Sequence, residues 1–457
     1  MVAELRSELP VSAAEAFAWH ARPGAFERLV PPWEHVALVA PHPGLAEGAR
    51  MEFDVRVGLV PVRWVARHEQ VTAPAGFVDV QERGPFARWR HTHRFEDLGP
   101  GRCALIDRID ADLPGGPLGE LGDPFLRRRL RRTLRYRHAV TAGDLALHAA
   151  AADRPRLRVA LSGASGLIGT TLRAMLTTGG HTVIPMVRRS AGPGEIAWDP
   201  RSGRLDPADL ADIDAVVHLA AESIADGRWT EARRARIRES RVAGTGTIAR
   251  ALTAAPRRPR VLVSASAIGI YGDRGDEVLT EESVPSDAGF LPDVARGWEQ
   301  ATEPAEAAGV RVVRARFGVI LSPAGGALAK MRLPFALGGG APLGAGTQWM
   351  SWISIDDAAG AVMHLLQDTA AGPVNVVAPA PVTNRDFTTA LGRALHRPTV
   401  LPAIPAPLLR FALGDLADEA LLASTRVRPA RLEATGYRFR HPALADALRH
   451  VLGSDRP

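Results

Sequence analysis

A short apolar segment followed by three regularly spaced glycines most constrains how this chain can fold. Residues 158–180 read RVALSGASGLIGTTLRAMLTTGG, and residues 159–161 have the composition of a strand buried in a parallel sheet. Gly163, Gly166 and Gly169 follow, and apolar residues then recur at helical spacing. Glycines let a backbone turn tightly, and the free N–H groups of a helix N-terminus favour an anion. This order predicts a phosphate-binding loop rather than an ordinary βα turn.

The strand after this helix bears on which nucleotide would bind. Residues 181–187 form that predicted strand, and Arg188 and Arg189 follow it. About 20 positions beyond the glycines of a Rossmann unit, an acid favours NAD and an arginine accommodates a 2′-phosphate. Arg189 holds this position, so we expect NADP(H) as the cofactor. Two interpretations stay open: the arginines are only solvated, or Glu195 or Asp199 reaches the ribose.

The composition argues against several classes of protein. The 457 residues carry a net charge of +6, nearly all of it from arginine, and Lys330 is the only lysine. This charge is a modest field for such a length, so we expect no nucleic-acid partner. The single cysteine, Cys103, allows neither an internal disulfide nor a zinc site built from cysteines. Without a signal-peptide core or a run of about 18 apolar residues, the sequence predicts a cytoplasmic protein with no membrane partner.

The first 149 residues have their own order of elements. A short strand at 4–9 precedes a helix at 13–20 that Ser12 can cap, β segments follow, and a long helix is predicted over 118–147. This order, with fragments such as FARWRHTHRF, resembles the helix-grip fold of the START-like (SRPBCC, polyketide-cyclase-like) superfamily. The resemblance implies a curved sheet around the last helix, an apolar cavity and a hydrophobic small ligand.

Two features of this segment have a plain and a more specific interpretation. Trp89, His91 and His93 lie on one face of a strand, but we expect no third metal ligand nearby. We therefore expect no metal, and two histidines that line a cavity or a solvated face.

The run LRRRLRRTLRYRH at 126–138 could form a basic surface. Leu126 and Leu130 recur at helical spacing within it, which favours a packed helix with solvated arginines.

Seven motifs in order carry a second resemblance, from about residue 156 to residue 452. They are GASGLIG, VVHLAAESIADGRW, ESRVAGT, SASAIGIYGD, FLPDVARGWE, RFGVILSPAGGALAKM and QWMSWISIDDAAGAV. Together they resemble the NAD-dependent epimerase/dehydratase-like branch of the extended short-chain dehydrogenases. The resemblance implies an α/β fold: a doubly wound parallel-sheet Rossmann domain at 156–400 and a small C-terminal substrate lobe at 401–457. The α+β helix-grip domain at 1–149 precedes both.

The expected cofactor contacts lie in the glycine loop and at the carboxyl ends of strands. In the loop they are Gly163, Ser165, Gly166, Leu167, Ile168 and Gly169. Beyond it they are Arg188, Arg189, Leu219, Ala220, Ala221, Glu222, Ser240, Arg241, Phe317 and Val319. The position of Glu222 near the nicotinamide is implied by the resemblance alone.

The usual catalytic pair of the extended short-chain dehydrogenases, Tyr-x-x-x-Lys, is absent. Phe290 stands near the tyrosine position and Val294 near the lysine position. If hydride chemistry occurs, Tyr271 is the tyrosine of this region that could move a proton, and Ser264 or Ser266 could polarise a carbonyl. A packing role for Tyr271 is an equal alternative.

We expect a structural role for one further residue, Asp356. Asp356 follows the segment WMSW at 349–352, which resembles a family segment near the substrate opening. An Asp in that place would satisfy free N–H groups, so we predict that Asp356 caps the next helix.

The function that these observations favour is a nicotinamide-dependent redox change on a small carbonyl or hydroxyl compound. The missing tyrosine–lysine pair favours a second hypothesis, a redox or ligand sensor that binds NADP(H) without turnover. A third is a structural or partner-binding role for the first domain alone. The substrate and the oligomeric state do not follow from the residues.

Overall fold

Two separate β-sheets account for most of the strands in a computed structural model of the chain, which describes residues 1–40, 44–58, 60–116 and 121–454. The N-terminal sheet contains β1 (Val2–Leu9), β2 (Val36–Leu38), β3 (Arg50–Val57), β4 (Val60–Thr72), β5 (Gly76–Arg83), β6 (Arg88–Asp97) and β7 (Cys103–Asp112). Its seven strands are antiparallel in the order β1-β7-β6-β5-β4-β3-β2. Helices α1 (Ala13–Ala21), α2 (Ala25–Leu29) and α3 (Asp123–Ala149) accompany it.

The long helix α3 packs on this sheet through one apolar face. Leu126, Leu130 and Leu134 are buried, while neighbouring arginines such as Arg127 and Arg131 are exposed, so the packed-helix interpretation is confirmed. The helix begins at Asp123, later than predicted, and positions 118–120 of the prediction lie outside the described residues. Together with the sheet it confirms the predicted helix-grip architecture.

Fourteen further strands follow, of which eight form a second sheet and six form two-stranded pairs. Strands β8 to β14 are β8 (Arg158–Ser162), β9 (Thr182–Val187), β10 (Ile196–Asp199), β11 (Arg204–Leu205), β12 (Ala215–His218), β13 (Val261–Ala267) and β14 (Val278–Leu279). The later strands are β15 (Arg311–Phe317), β16 (Val319–Leu321), β17 (Trp349–Met350), β18 (Trp352–Ser354), β19 (Gly372–Val376), β20 (Val382–Thr383) and β21 (Arg426–Val427). The sheet order is β11-β10-β9-β8-β12-β13-β15-β19, and every pairing in it except β10 with β11 is parallel.

Helices connect or follow the strands of this part of the chain. They are α4 (Leu167–Thr178), α5 (Glu231–Ala254), α6 (Phe290–Gln300), α7 (Glu303–Ala307), α8 (Gly326–Ala336), α9 (Ile355–Gln367), α10 (Asn384–Ala394), α11 (Ala406–Leu413), α12 (Ala430–Ala434) and α13 (Leu444–Leu452). Side chains of one strand alternate between two apolar cores: Val217 joins the core that includes α4 and α9, and Val216 joins the core that includes α5. This two-sided burial confirms the predicted doubly wound α/β fold.

The C-terminal segment packs against the same body. Helix α13 places Leu448 and Val451 in a core with Phe387 and Leu391 of α10. The predicted helix at 416–424 is a π-helical turn over Ala417–Leu422. No helix of the described residues is both long and apolar enough to cross a membrane.

A buried network of ion pairs joins the two sheet domains. The Arg28 guanidinium of α2 lies 2.7 Å from Asp144 of α3 and 2.7 Å from Asp356 of α9. Arg440 lies 2.7 Å from Asp144, and the His450 ring lies 2.8 Å from Asp356. Burial alone would raise the pKa of both carboxyl groups, but Arg28 and Arg440, and for Asp356 also His450, together outweigh it and lower both pKa values. Two carboxylates and two guanidinium groups thus balance in charge inside the interface.

This network corrects the predicted role of Asp356. The helix α9 is capped instead by Ser354, whose hydroxyl accepts a hydrogen bond from the Asp357 backbone N–H. Asp356 is almost fully buried and turns towards Arg28, a residue more than 300 positions earlier. A serine two residues before the aspartate competed for the cap, and the distant arginine could not be read from the local sequence.

We expect Arg28→Gln to destabilise the protein by about 3–5 kcal/mol at pH 7, because it leaves carboxylates buried without their main cation. Denaturant unfolding followed by circular dichroism measures the loss. The folded-state pKa values of Asp144 and Asp356 are depressed, so the stability they contribute is lost as pH falls through those values. In the wild type this loss comes only below the ordinary pKa of an aspartate. In the variant, burial acts without Arg28 and raises the pKa of both carboxyl groups, so they take up protons between pH 7 and pH 4 and the difference in stability shrinks there. Arg88→Gln, which breaks an exposed pair with Asp112, is the control and should unfold like the wild type. A constant difference at both pH values would contradict this account.

Candidate functional site

The glycine loop after β8 is held closely against the loop after β12. Gly163 has a φ of +72°, and a Cβ built on it would lie 2.8 Å from the backbone nitrogen of Ala220. A Cβ on Gly169 would overlap the carbonyl oxygen of Gly163. Both positions therefore exclude any side chain, for reasons of backbone conformation at Gly163 and of space at both.

The same loop leaves the start of α4 open. The Gly166 N–H donates to the Gly163 carbonyl at 2.9 Å, and no side chain caps the helix at Gly166. The first backbone N–H groups of α4, from Leu167 onwards, consequently have no partner within the helix. Ser165 and Gly166 are exposed, so an anion can reach this helix end.

The two arginines after β9 are exposed and differ in their partners. Arg189 makes a two-pronged pair with Glu195, at 2.6 and 2.7 Å. Asp199 accepts hydrogen bonds from the Arg201 N–H and the Ser202 hydroxyl within its own turn. Among the described residues, the Arg188 side chain has no hydrogen bond or ion pair. Arg188 is thus the available cation at the carboxyl end of β9.

The loop after β12 is fastened by α5. The Ser240 hydroxyl accepts from the Glu222 N–H at 3.1 Å, and Arg241 donates to the Glu222 carbonyl at 3.0 Å. The Arg241 guanidinium also lies 4.9 Å from the ring centre of Trp298, and burial lowers its pKa to about 10. Since Ala220 contacts Gly163, the structure brings these predicted residues to one edge of the sheet.

Two more predicted contacts lie at the end of β15. Phe317 is buried and pairs with Ala267 of β13 and Val376 of β19. Val319, two residues later, is half-buried at the start of β16. Both follow the carboxyl ends of parallel strands, where doubly wound sheets bind their ligands.

The Tyr271 hydroxyl is inside the protein and already surrounded by polar groups. It lies 3.0 Å from the Thr280 carbonyl, 2.8 Å from the Asn375 side-chain oxygen and 2.9 Å from the Arg316 guanidinium. Burial raises the pKa of Tyr271 and outweighs the opposite effect of Arg316. At neutral pH this phenol therefore carries its proton.

The predicted serines have different surroundings. Ser266 donates to Glu299 at 2.7 Å, and Glu299 holds Arg316 through two contacts of 2.8 Å. Since Arg316 reaches Tyr271, a continuous polar chain runs from Ser266 to that phenol. Ser264 lies two residues deeper in β13 and is buried.

Glu299 and Arg316 are the parts of this chain that the sequence analysis missed. The strand RVVRARF contains three arginines, and the sequence does not distinguish Arg316, the buried one, from Arg311 and Arg314. An arginine buried in a strand needs a carboxylate, but the sequence does not say which one.

A second polar cluster lies in the N-terminal domain. His91 and His93 are both buried, and Asp79 brings a carboxylate next to them. The expectation that no third ligand stands nearby was therefore wrong, and so was the solvated face. Asp79 is opposite His91 across the β5–β6 pairing, a relation that depends on strand register rather than on sequence distance.

The interior of this domain is thus polar in its middle and apolar on either side. One apolar cluster includes Trp19 and Leu105, and another includes Ile109 and Leu130. That the domain encloses an apolar cavity and holds a hydrophobic ligand stays a prediction.

A parallel sheet with a glycine loop and an open helix end at its carboxyl edge defines a Rossmann-type, dinucleotide-binding protein. Family models agree with this. Residues 159–378 match the NAD dependent epimerase/dehydratase family, residues 9–135 match polyketide cyclase/dehydrase and lipid transport, and residues 404–451 match a domain of unknown function (DUF1731).

Relatives of known sequence cover the C-terminal two thirds of the chain. The epimerase family protein Mb2239 of Mycobacterium bovis is 46% identical over 295 residues, 64% of this chain and 97% of its own length. The human epimerase family protein SDR39U1 is 36% identical over 300 residues, 65% of this chain and 100% of its own length. The chain belongs to the NAD-dependent epimerase/dehydratase family, fused to an N-terminal domain of the polyketide cyclase type.

Two solved structures extend the comparison. One described as a nucleoside-diphosphate sugar epimerase from Corynebacterium glutamicum has a TM-score of 0.81 and 33% identity, over 98% of this chain and 90% of that one. Human SDR39U1 crystallised with NADPH has a TM-score of 0.60 and 34% identity, over 65% of this chain and 99% of that one. The first includes both sheet domains, so their fusion is not peculiar to this chain.

We predict that Gly169→Ala lowers the affinity for NADPH at least about tenfold, or about 1.4 kcal/mol, because its methyl group would push the Gly163 carbonyl out of the loop. Isothermal titration calorimetry measures the change. Gly244→Ala is the matched control, since the nearest atom to its new methyl group would be at 3.6 Å. If Gly169→Ala bound NADPH like the wild type, the loop would not be the phosphate site.

Proposed function

We propose that this chain is an NADP(H)-dependent oxidoreductase of the epimerase/dehydratase type that acts on a small carbonyl or hydroxyl compound. The observation that carries the proposal is the open N-terminal end of α4 beside a loop that admits no side chain at Gly163 or Gly169. An anionic diphosphate fits this arrangement of backbone N–H groups. The human relative crystallised with NADPH supports the choice of nucleotide.

The residues around the loop suit the rest of such a cofactor. Arg188 offers a guanidinium without a partner among the described residues, and Arg189 offers a second one that Glu195 shares. Guanidinium groups bind phosphate oxygens in pairs of hydrogen bonds, which favours a 2′-phosphate over a bare ribose. Leu219 to Glu222, Phe317 and Val319 would line the remaining path. When bound, the cofactor supplies a hydride donor or acceptor.

Tyr271 is the residue that we propose for proton transfer, with Ser264 or Ser266 beside it. Because burial keeps its phenol protonated, Tyr271 suits the role of an acid that gives its proton to a carbonyl oxygen undergoing reduction. Arg316, at 2.9 Å, would stabilise the phenolate that remains. The single hydroxyl proton is donated either to the Thr280 carbonyl or to the Asn375 side-chain oxygen. Whichever hydrogen bond holds it must break before the proton can move to a substrate.

For the N-terminal domain we propose a role in holding a hydrophobic small ligand in the cytoplasm. The match to the polyketide cyclase and lipid transport family supports this role, as do the apolar clusters that face α3. The ion pairs of Arg28 connect that domain directly to α9.

A second candidate function is a sensor that binds NADP(H) without turnover. Two observations favour it: Phe290 and Val294 stand where the usual Tyr-x-x-x-Lys pair would be, and the Tyr271 hydroxyl is buried among three partners. In this candidate the nucleotide would change the structure of the protein rather than react.

If the arginines after β9 read the 2′-phosphate, wild type should bind NADPH more tightly than NADH. Arg188→Ala combined with Arg189→Ala should remove this preference and leave the NADH affinity nearly unchanged, because only the 2′-phosphate contact is lost. Calorimetric titrations with both nucleotides measure the two affinities. Arg94→Ala, which removes an exposed arginine of the N-terminal sheet, is the control. An intact preference for NADPH in the double variant would refute the assignment.

The oxidoreductase and the sensor differ in turnover. Oxidation of NADPH is followed at 340 nm with a panel of ketones, aldehydes and nucleoside-diphosphate sugars. With an active substrate, Tyr271→Phe should lower kcat at least about 100-fold without changing the NADPH affinity, because general acids contribute about 10²–10⁴-fold. If Tyr271→Phe lowered the free energy of unfolding but left kcat unchanged, Tyr271 would have only a packing role. Tight NADPH binding with no oxidation across the panel would favour the sensor.

A further inference from the structure

The N-terminal domain gathers histidines and carboxylates from four adjacent strands onto the face of the sheet that α3 covers. His68 of β4 is opposite Asp79 of β5, and Asp79 is opposite His91 of β6. On the next pairing, His93 of β6 is opposite Asp107 of β7. Side chains directly opposite each other on one face lie about 4.5–5.5 Å apart at Cβ, so the register itself builds the cluster.

We propose that Asp79, His91 and His93 bind one divalent first-row transition metal ion of the Zn²⁺ or Fe²⁺ type. Each offers a ligand atom, and the three atoms lie within 4.8 Å of one another. Two imidazoles and one carboxylate are a ligand set that such metals favour. This inference is independent of the nucleotide site.

The distances within the trio suit an ion with short bonds. His93 Nε2 lies 3.3 Å from Asp79 Oδ2. Two ligand atoms that each lie about 2.0–2.1 Å from a tetrahedral ion are about 3.4 Å apart. The His93 and Asp79 atoms therefore already have the separation that two ligands of one ion need. The rings of His91 and His93 are 3.9 Å apart between centres, which keeps both nitrogens on the same side of the strand.

An unsatisfied nitrogen supports the site separately from the spacing. His91 is 3% exposed, and within the described part of the chain its Nε2 has no hydrogen-bond partner. A buried polar atom without a partner costs about 1–3 kcal/mol, which a metal bond would offset. Asp107 Oδ1 lies 3.7 Å from that nitrogen and is closer to His93 Nδ1, at 2.7 Å.

Other residues occupy the positions of outer partners that orient metal ligands. His93 Nδ1 lies 2.7 Å from Asp107 Oδ1, which is where a carboxylate would fix a metal-binding histidine. His138 of α3 lies 3.2 Å from the other Asp107 oxygen, and its second nitrogen lies 2.9 Å from the Ser7 hydroxyl. His68 Nδ1 lies 2.6 Å from Asp79.

The charge of the cluster points the same way. Two carboxylates, Asp79 and Asp107, share a largely buried space, and His93 lies between them, 3.3 Å from Asp79 and 2.7 Å from Asp107. A divalent cation in this space would be attracted by both carboxylates. Asp79 keeps 18% of its side chain exposed, which leaves a way in from solvent.

A comparable trio at the domain interface does not carry the same inference. Asp356, His441 and His450 also bring their ligand atoms within 4.8 Å of one another. The Arg28 guanidinium already lies 2.7 Å from Asp356 and would repel a second cation.

The test is a titration of the full chain, without a histidine tag and stripped by a chelator, with Co²⁺ and with Zn²⁺. We expect one equivalent to bind and Co²⁺ to develop visible absorption bands. Asp79→Asn and His91→Asn should each weaken binding by more than about 100-fold. Asp107→Asn, which keeps all three ligands, should weaken it by about 10–100-fold.

His35→Asn, which removes an exposed histidine of the same domain, is the matched control and should bind like the wild type. Circular dichroism and NADPH titration of every variant separate loss of the metal site from loss of fold or of the nucleotide site. No stoichiometric binding by the wild type would overturn the proposal. Unchanged binding by Asp79→Asn and His91→Asn would do the same, since the metal would then lie elsewhere.

Discussion

The contact on which the candidate site depends is the approach of one backbone to another at Gly163. With no Cβ there, the turn after β8 rests against Ala220 in the turn after β12, and Gly169 brings the first turn of α4 beneath both. This contact aligns the carboxyl edge of the sheet, where Phe317 also ends its strand. The open helix end and the loop held by Arg241 are therefore parts of one rigid arrangement. A nucleotide would meet a surface that is already organised, which reduces the entropy that binding must lose.

The parts of the structure that the sequence predicts are those set by neighbouring residues. The glycine loop, the cap of α1 by Ser12 and the apolar face of α3 each need only a few adjacent positions, and all three agree with the structure. Features that depend on distant partners were missed. Arg316 finds Glu299 on another element, and Asp79 reaches His91 through strand register. Local spacing has no access to such pairings, because they are decided by how strands and helices pack.

The chain keeps two kinds of polar interior. Near Tyr271, Ser266, Glu299 and Arg316 each have a partner, and these contacts hold β13, β15 and α6 together. Around His93, the His91 Nε2 atom is left without a hydrogen bond among the described residues. A complete network favours rigidity, whereas an incomplete one favours a ligand. The cluster at Tyr271 is thus the more rigid one, and the cluster at His93 is the one that has room for a ligand. Both are built from polar side chains on neighbouring strands.

The charges between the domains have a consequence for movement. If the N-terminal domain separated fully, water would solvate Arg28, Asp144 and Asp356 again, so complete opening costs less than the strength of the pairs suggests. A small slide is different, because it would leave a bare charge in a dry interface at a cost of several kcal/mol. The closed and the fully separated arrangements are therefore both low in free energy, and partly shifted arrangements between them are high. Any traffic of a ligand between the modules would have to proceed through whole-domain release or through the closed form, and not by gradual shear.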